Sequence, residues 1–230
     1  MTNVVLISNY ELGRQPFGLA SPAASLREAG ANVRCLDLAV EPADLAALRQ
    51  ADVVGFYVPM HMGTRMAAPI IPQVKKLNPQ AHLVCFGLYA PMNEEYLRGL
   101  GVSTVLGGEF EAGLLSVVRR VQNGTAAGPQ PEPVVSLARQ DFRVPDRRTL
   151  PGLEKYAQLM VEPGQTRLVG YTEASRGCKH VCRHCPVVPV YGGRFRVVPQ
   201  PVVLADIRQQ VEAGAQHITF GDPDFFNGPG

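Results

Sequence analysis

Short, largely apolar runs recur along the first half of the chain, at residues 4–7, 33–36, 53–58, 83–87 and 104–106. Each is too short for a helix that must bury a face and is rich in Val, Leu, Ile, Phe or Cys, as in a strand covered on both sides. Between and after them the period lengthens. Met66, Ile70, Val74 and Leu77 recur at helical spacing, and so do Phe110, Leu114, Val117 and Val121. Five strands alternating with helices predict an α/β domain over residues 1–123, a doubly wound, flavodoxin-like parallel sheet covered on both faces. In such a sheet ligands bind at the carboxyl ends of the strands, where strand order reverses. The loops placed there are residues 8–17, Met60-His61-Met62-Gly63, Leu88-Tyr89-Ala90-Pro91 and Gly107-Gly108-Glu109-Phe110-Glu111.

The pattern then changes. Over residues 124–150, Gly124, Gly128, Pro129, Pro131, Pro133 and Pro145 interrupt any helix, which predicts an interdomain linker. A short helical turn is expected at 150–156, and residues 168–172 read as the first strand of a second domain over 151–230. Downstream, Val203, Ile207 and Val211 share one face of a helix that has Pro201 near its start and Gly214 past its end. Residues 217–220 read as the second strand of that domain.

Composition adds limits rather than detail. The chain has 230 residues, 46% hydrophobic and 18% charged, with a net charge of +2; that is ordinary globular chemistry with room for one large or two modest domains, and nothing marks a nucleic-acid partner. No run approaches the roughly 18 apolar residues of a membrane span, and no basic stretch precedes the apolar residues 4–7. Five cysteines, three of them crowded into eight residues, argue against a disulfide framework and for a reducing, cytoplasmic compartment.

Those three carry the chemistry. Cys178, Cys182 and Cys185 lie in Gly177-Cys178-Lys179-His180-Val181-Cys182-Arg183-His184-Cys185-Pro186, spaced C-x3-C-x2-C just after a predicted strand. Three thiolates on one loop can hold three corners of a cubane and leave the fourth iron open to a substrate or cofactor. The alternative is a structural zinc site completed by His180, His184 or His217, although zinc sites more often pair two C-x2-C knuckles from separate segments. Lys179, His180, Arg183, Arg194 and Arg196 make the neighbourhood basic, which suits an anionic cluster as well as an ordinary solvated loop. His61 sits in a crevice loop where it can face a ligand, or it is a polar residue between two core methionines; Tyr57 and Tyr89 carry the same two readings.

The cysteine spacing, in its strand-loop-helix setting, resembles the signature of the radical S-adenosylmethionine (SAM) enzymes, and the first half is similar to the cobalamin-binding domain that precedes many of them. The run from Tyr171 to Arg196 looks especially like members named for a carboxy-terminal CCAEP or CUAEP tail. The resemblance implies a [4Fe-4S] cluster on Cys178, Cys182 and Cys185, opening a partial TIM-like barrel, with reductive cleavage of SAM to a 5'-deoxyadenosyl radical. It also implies an electron donor such as flavodoxin or ferredoxin, and a small-molecule or peptide substrate. By position it places the methionyl group of SAM near Gly221, Asp222 and Pro223 and its adenine near His184. A corrinoid or substrate would lie near His61, Tyr89, Gly107 and Gly108. One departure stands out: the D-x-H-x-x-G loop that supplies a cobalt ligand in some relatives reads Ser8-Asn9-Tyr10-Glu11-Leu12-Gly13-Arg14 here, without histidine. A corrinoid would bind without that ligand, or none binds.

A TIM-like barrel takes on the order of 200 residues or more, and far fewer follow the linker. The chain therefore reads as the front of a longer enzyme, inactive alone and prone to aggregate through an unpaired strand edge. The competing reading is a binding module for a corrinoid or other small molecule, with a structural zinc appendage and no turnover of its own.

Overall fold

The computed structural model describes residues 1–227; positions 228–230, the end of the expected second domain, lie outside them. The first half contains β1 (Asn3–Ser8), α1 (Phe17–Glu28), β2 (Asn32–Asp37), α2 (Leu45–Gln50), β3 (Val53–Tyr57), α3 (His61–Ala67), α4 (Ile70–Leu77), β4 (His82–Phe86), α5 (Glu94–Gly99), β5 (Thr104–Gly108) and α6 (Glu111–Gln122). All five expected strands form. They join a parallel sheet of order β2-β1-β3-β4-β5, extended past β5 by a sixth strand, β6 (Val135–Ser136).

The strands read as unbroken apolar runs because both faces are covered. Val5, Ile7, Val54, Phe56, Leu83, Cys85 and Val105 form one core with Ile71 and Val74 of α4 and Leu97 of α5. Val4, Leu6, Val33, Cys35, Val84, Phe86 and Leu106 form the other with Leu19, Ala23 and Leu26 of α1 and Leu114, Val117 and Val118 of α6. Successive side chains go to opposite faces, as the period of 2 demands.

Two expectations need correction. The single helical pattern through Met66, Ile70, Val74 and Leu77 is two helices. Pro69 follows the last residue of α3 by two positions and its missing N–H ends the hydrogen-bond ladder; Met66 is left exposed while Ile71 takes the buried position. The linker, in turn, is tied to the first domain. Part of it becomes β6, and further on Arg27 Nη1 lies 2.7 Å from Asp146 Oδ1. Thr149 Oγ1 accepts from the Cys35 N–H at 3.1 Å, and Arg34 Nη1 donates to the Thr149 carbonyl at 2.6 Å. The segment thus reaches both edges of the sheet, pairing with the end of β5 as a strand and with Cys35 of β2 through Thr149, which reduces the open pairing sites.

Beyond a short turn at Leu153–Lys155, the second region contains the exposed hairpin β7 (Leu159–Glu162) and β8 (Gln165–Arg167), then β9 (Val169–Thr172), β10 (Ser175–Gly177), α7 (Val188–Tyr191), β11 (Phe195–Val197), α8 (Gln200–Glu212) and β12 (His217–Phe220). β9 and β12 pair in parallel with α8 in the crossover between them, while β10 and β11 form an antiparallel flap. The hairpin and the flap were not expected: each strand is only three or four residues long, too short to show a period. Val203 of α8 is buried, whereas Val211, assigned to the same face, is 53% exposed. Among the described residues β12 has β9 as its one sheet partner, and Phe220, Phe225 and Phe226 stand exposed beside it.

The two regions share a buried ionic seam. Arg147 of the linker forms a bidentate pair with Asp206 of α8 at 2.9 Å and donates to the Tyr171 carbonyl of β9 at 2.7 Å and to Gln15 Oε1 at 2.6 Å. Asp206 also accepts from Thr172 Oγ1 at 2.6 Å. No helix among the described residues is long and apolar enough to cross a membrane.

Candidate functional site

Strand order reverses between β1 and β3, so the loops leaving these strands diverge and open a crevice between them. Glu11, Leu12 and Arg14 come from the loop after β1; Pro59 and Met60 come from the loop after β3. The second region closes the crevice from above with Tyr171, Glu173, Ser175, Arg176, Gly177, Tyr191, Gly221 and Pro223, leaving a cleft of about 250 Å³. Its floor is aromatic. Tyr57 and Phe110 line it and pack with the buried Phe86 behind them, centroids 5.1–6.2 Å apart, and a Cβ at Gly18 would run into the Tyr57 ring.

Arg176 joins the two sides. It lies in the flap strand that leads into the cysteine loop, and its guanidinium is 7% exposed. Its Nη2 is 2.6 Å from Glu111 Oε1, its Nη1 2.9 Å from Glu111 Oε2 and 3.3 Å from Glu109 Oε2, and its Nε 3.2 Å from Glu173 Oε2. Ser21 and Gln140 donate to the same carboxylates, and the guanidinium stacks 5.4 Å from Phe110 and Phe142. The Gly-Gly-Glu-Phe-Glu turn of the first domain is thereby locked to the strand that leads into Cys178. The turn needs its glycines: Gly108 has φ +70°, and a Cβ there would meet the Ser136 carbonyl.

Glu11 and Glu173 line the cleft together with Arg14 and Arg176, Glu111 pairs with Arg176 behind them, and these carboxyls divide by environment. Glu111 is held below the ordinary carboxylate range, its burial outweighed by Arg176 and by the bonds from Gln140 and Ser21. Glu173 is pushed up to about 7, by burial first, against the pull of Arg176. Glu11 is pushed up to about 8, by burial and then by Glu173 and Asp37. An acid that keeps its proton longer when folded stabilises the fold at low pH, and that contribution is lost as pH rises through its folded value. Glu111 is already ionised in both states above about pH 5, so it does not oppose the trend. The melting temperature is therefore expected to fall between pH 5.5 and pH 8.5, and Glu11→Gln with Glu173→Gln to flatten that slope; thermal unfolding followed by circular dichroism at each pH checks it.

The cysteine loop runs between Gly177 and Val187, both of which line the cleft. Cys178 and Cys185 pack on Val187, Val190 and Tyr191, and the Cys178 thiol donates to Asp224 Oδ2 at 3.2 Å. Cys182 is exposed at a turn closed by the Cys185 N–H to the Cys182 carbonyl at 3.2 Å. Among the described residues no group of three or more His, Cys, Asp or Glu side chains is gathered tightly enough to hold a metal ion, so the three thiols must draw together to share a cluster. The donor set suits iron and sulfide: three free thiols on one short loop, with two of them already on a common apolar support. His217 starts β12, opposite Val169, at the strand ends away from this loop. His180 and His184 are exposed on the loop itself.

The remaining sequence-derived candidates are dispersed. Gly221 and Pro223 line the cleft, and a Cβ at Gly221 would collide with the Tyr171 ring. The Asp222 carboxylate is turned back, accepting from the Ala174 N–H at 3.1 Å and from Ser175 Oγ. Gly108 lines the cleft, while Gly107 faces Pro91. His61 and Tyr89 share a separate, broad groove of about 750 Å³ with Arg65 and Tyr96, their rings 6.5 Å apart. Of the basic residues, Arg196 binds the Leu137 carbonyl instead of facing solvent. Sequence reasoning missed Glu11, Glu173 and Arg176. The available signal was charge placed immediately after apolar strand runs, where an ionic side chain is either solvated or committed to a site.

The β1–α1 loop also contains polar atoms with no partner. Asn9, 2% exposed, leaves both Nδ2 and Oδ1 unbonded, and Ser8 Oγ and Glu11 Oε2 are likewise buried and unpaired. Buried polar groups are rarely left so. A ligand rich in amides, as a corrinoid is, fits a crevice of this kind.

Comparison with known proteins agrees with this geometry. Residues 3–118 match the family model of the B12 binding domain. Hopanoid C-3 methylase of Methylococcus capsulatus is 30% identical, over 87% of this chain and 41% of that protein. Two structures of the radical S-adenosylmethionine methyltransferase TsrM from Kitasatospora setae superpose. The one with tryptophan substrate and a SAM analogue bound has a TM-score of 0.72 at 19% identity over 96% of this chain. The one with cobalamin and a [4Fe-4S] cluster bound has a TM-score of 0.70 at 18% identity over 98% of this chain. The chain spans less than half the length of these relatives, 41% of the methylase and 48% of TsrM. It belongs to the B12-binding domain family, and carries that domain in the fold arrangement of the amino-terminal half of a radical SAM methyltransferase.

Proposed function

We propose that this chain is the amino-terminal part of a cobalamin-dependent radical SAM methyltransferase, holding a corrinoid over the ends of β1, β3 and β5 and a [4Fe-4S] cluster on Cys178, Cys182 and Cys185. The observation that carries this reading is the placement of the cysteine loop. Arg176, two residues before Cys178, is locked to the Gly-Gly-Glu-Phe-Glu turn of the B12-binding domain, which supports a reading in which the two cofactors face one another across the cleft. When bound, the cluster offers an open iron for SAM and an electron to cleave it, and the corrinoid offers a centre that carries a methyl group.

The chain's own residues supply position and environment. Tyr57, Phe110 and Tyr191 give the cleft its apolar surface beside the ionic groups. The β1–α1 loop presents amide and carboxyl groups without a histidine. Gly221 leaves room for Tyr171 between the two sides.

Anaerobic reconstitution with iron and sulfide tests the reading. The expected result is about four irons per chain and an electron paramagnetic resonance spectrum of the reduced sample that changes when SAM is added. Stoichiometric zinc with no cluster signal would instead support a binding module with a structural metal.

A further inference from the structure

Glu11 stands in the loop after β1, 7% exposed, at the edge of the cleft, and its Oε2 has no hydrogen-bond partner. The groups facing it come from four elements. Arg14 is on the same loop but stacks 4.9 Å above the Tyr171 ring. Asp37 ends β2, Glu173 follows β9, and the Tyr57 and Tyr171 side chains approach from β3 and β9. Two carboxyls against one engaged guanidinium make an anionic ligand unfavourable. Burial and those two neighbours keep Glu11 protonated up to about pH 8, which leaves it no charge with which to hold a cation at neutral pH. A neutral carboxyl has one donor and one acceptor side by side, and the group that matches both is a primary amide. At about 250 Å³ the cleft is smaller than typical pockets of roughly 300–1,000 Å³, so it admits a side chain or one edge of a larger ligand.

We propose that the Glu11 carboxyl is a recognition site for a primary amide side chain of the bound corrinoid, its O–H donating to the amide carbonyl and its other oxygen accepting from the amide N–H. The assignment rests on the corrinoid reading above. It gives the β1–α1 loop a hold on the rim of the ring where a histidine ligand to the metal is missing, and it accounts for a buried polar atom that the protein leaves unpaired.

Equilibrium dialysis of the full 230-residue chain against cyanocobalamin, read by corrin absorbance, tests it; this probe carries no group that titrates between pH 6.5 and 9. At pH 6.5, Glu11→Ala is expected to weaken binding about tenfold, the effect of one lost buried hydrogen bond. Glu11→Gln keeps both a donor and an acceptor and is expected to stay within about threefold of the unmodified chain. Between pH 6.5 and 9 the unmodified chain is expected to lose affinity several-fold as Glu11 ionises, while Glu11→Gln holds its affinity. Because ionisation of Glu11 also costs fold stability, circular dichroism at each pH must show both chains fully folded at the dialysis temperature; a difference in affinity between folded chains is then a binding effect. Equal affinity of Glu11→Ala and the unmodified chain, or parallel profiles for the unmodified chain and Glu11→Gln, would overturn the assignment. Failure of the unmodified chain to bind cyanocobalamin at any pH would remove the corrinoid reading itself, and the assignment with it.

Discussion

Arg176→Met is expected to lower the stability of the chain by about 3–5 kcal/mol, the cost of removing one partner from a buried ion cluster. The methionine fills much of the space and keeps the packing on Phe110 and Phe142, so the loss is electrostatic. Glu111 gives up two short bonds and Glu109 and Glu173 one each, and the freed carboxylates remain in a site that is at most 17% exposed. For a domain with a total stability of about 5–15 kcal/mol this is a large fraction. Urea unfolding followed by circular dichroism should show the midpoint shift. The triple variant Arg176→Met, Glu109→Gln, Glu111→Gln should recover a substantial part, because neutral amides no longer strand charge. A full loss persisting in the triple variant would mean that packing, not charge, holds the seam. The same substitution should raise proteolytic sensitivity in the segment around Cys178, since the flap then loses its tie to the first domain.

Cys182→Ala is expected to abolish cluster assembly after anaerobic reconstitution, taking iron from about four per chain to near zero, with little change in the fold. Cys182 is the informative member of the three because it is the exposed one. Cys178 and Cys185 rest on the Val187, Val190 and Tyr191 cluster, so their replacement would mix ligand loss with local unpacking. Cys35→Ala is the control in the other direction. Cys35 is wholly buried in the first domain's core, and burial holds its thiol up at about 11, far from any role as a thiolate ligand at neutral pH. Its replacement should cost some stability and leave iron binding intact. Equal loss of iron in both variants would remove the ligand assignment.

Much of the fold could be read from order and period alone. The strands at residues 3–8, 32–37, 53–57, 82–86 and 104–108 each announce themselves as an apolar run bounded by turns, since a strand buried on both faces has no polar positions to obscure it. The cysteine spacing is equally local, because a cluster loop must bring its thiols from within a few residues of one another. The division of the α3–α4 pattern was also visible in principle at Pro69, where the helical repeat continues across a residue that cannot donate.

Other features depend on distance in the chain. Glu109, Glu111 and Arg176 lie 65 or 67 positions apart, and nothing in their local sequences says that they meet. Thr149 caps the edge of β2 from 114 residues away, which turns an apparent Gly/Pro-rich spacer into part of the first domain. His61 and Tyr89 were placed in crevice loops by topology, yet the side chains turn to a separate groove, a matter of rotamer and packing that a loop position does not specify.

By itself, the sequence determined the parallel α/β sheet, the crevice at its strand ends and the three-thiol loop, because each is written in neighbouring residues through periodicity or spacing. Only the tertiary structure decided that Arg176 locks the two regions together and that Glu11 and Glu173 share one cleft. It alone showed that Cys182 is exposed while Cys178 and Cys185 rest against an apolar cluster. These outcomes depend on burial and on long-range Coulomb interaction, and neither exists until distant segments have packed and excluded water.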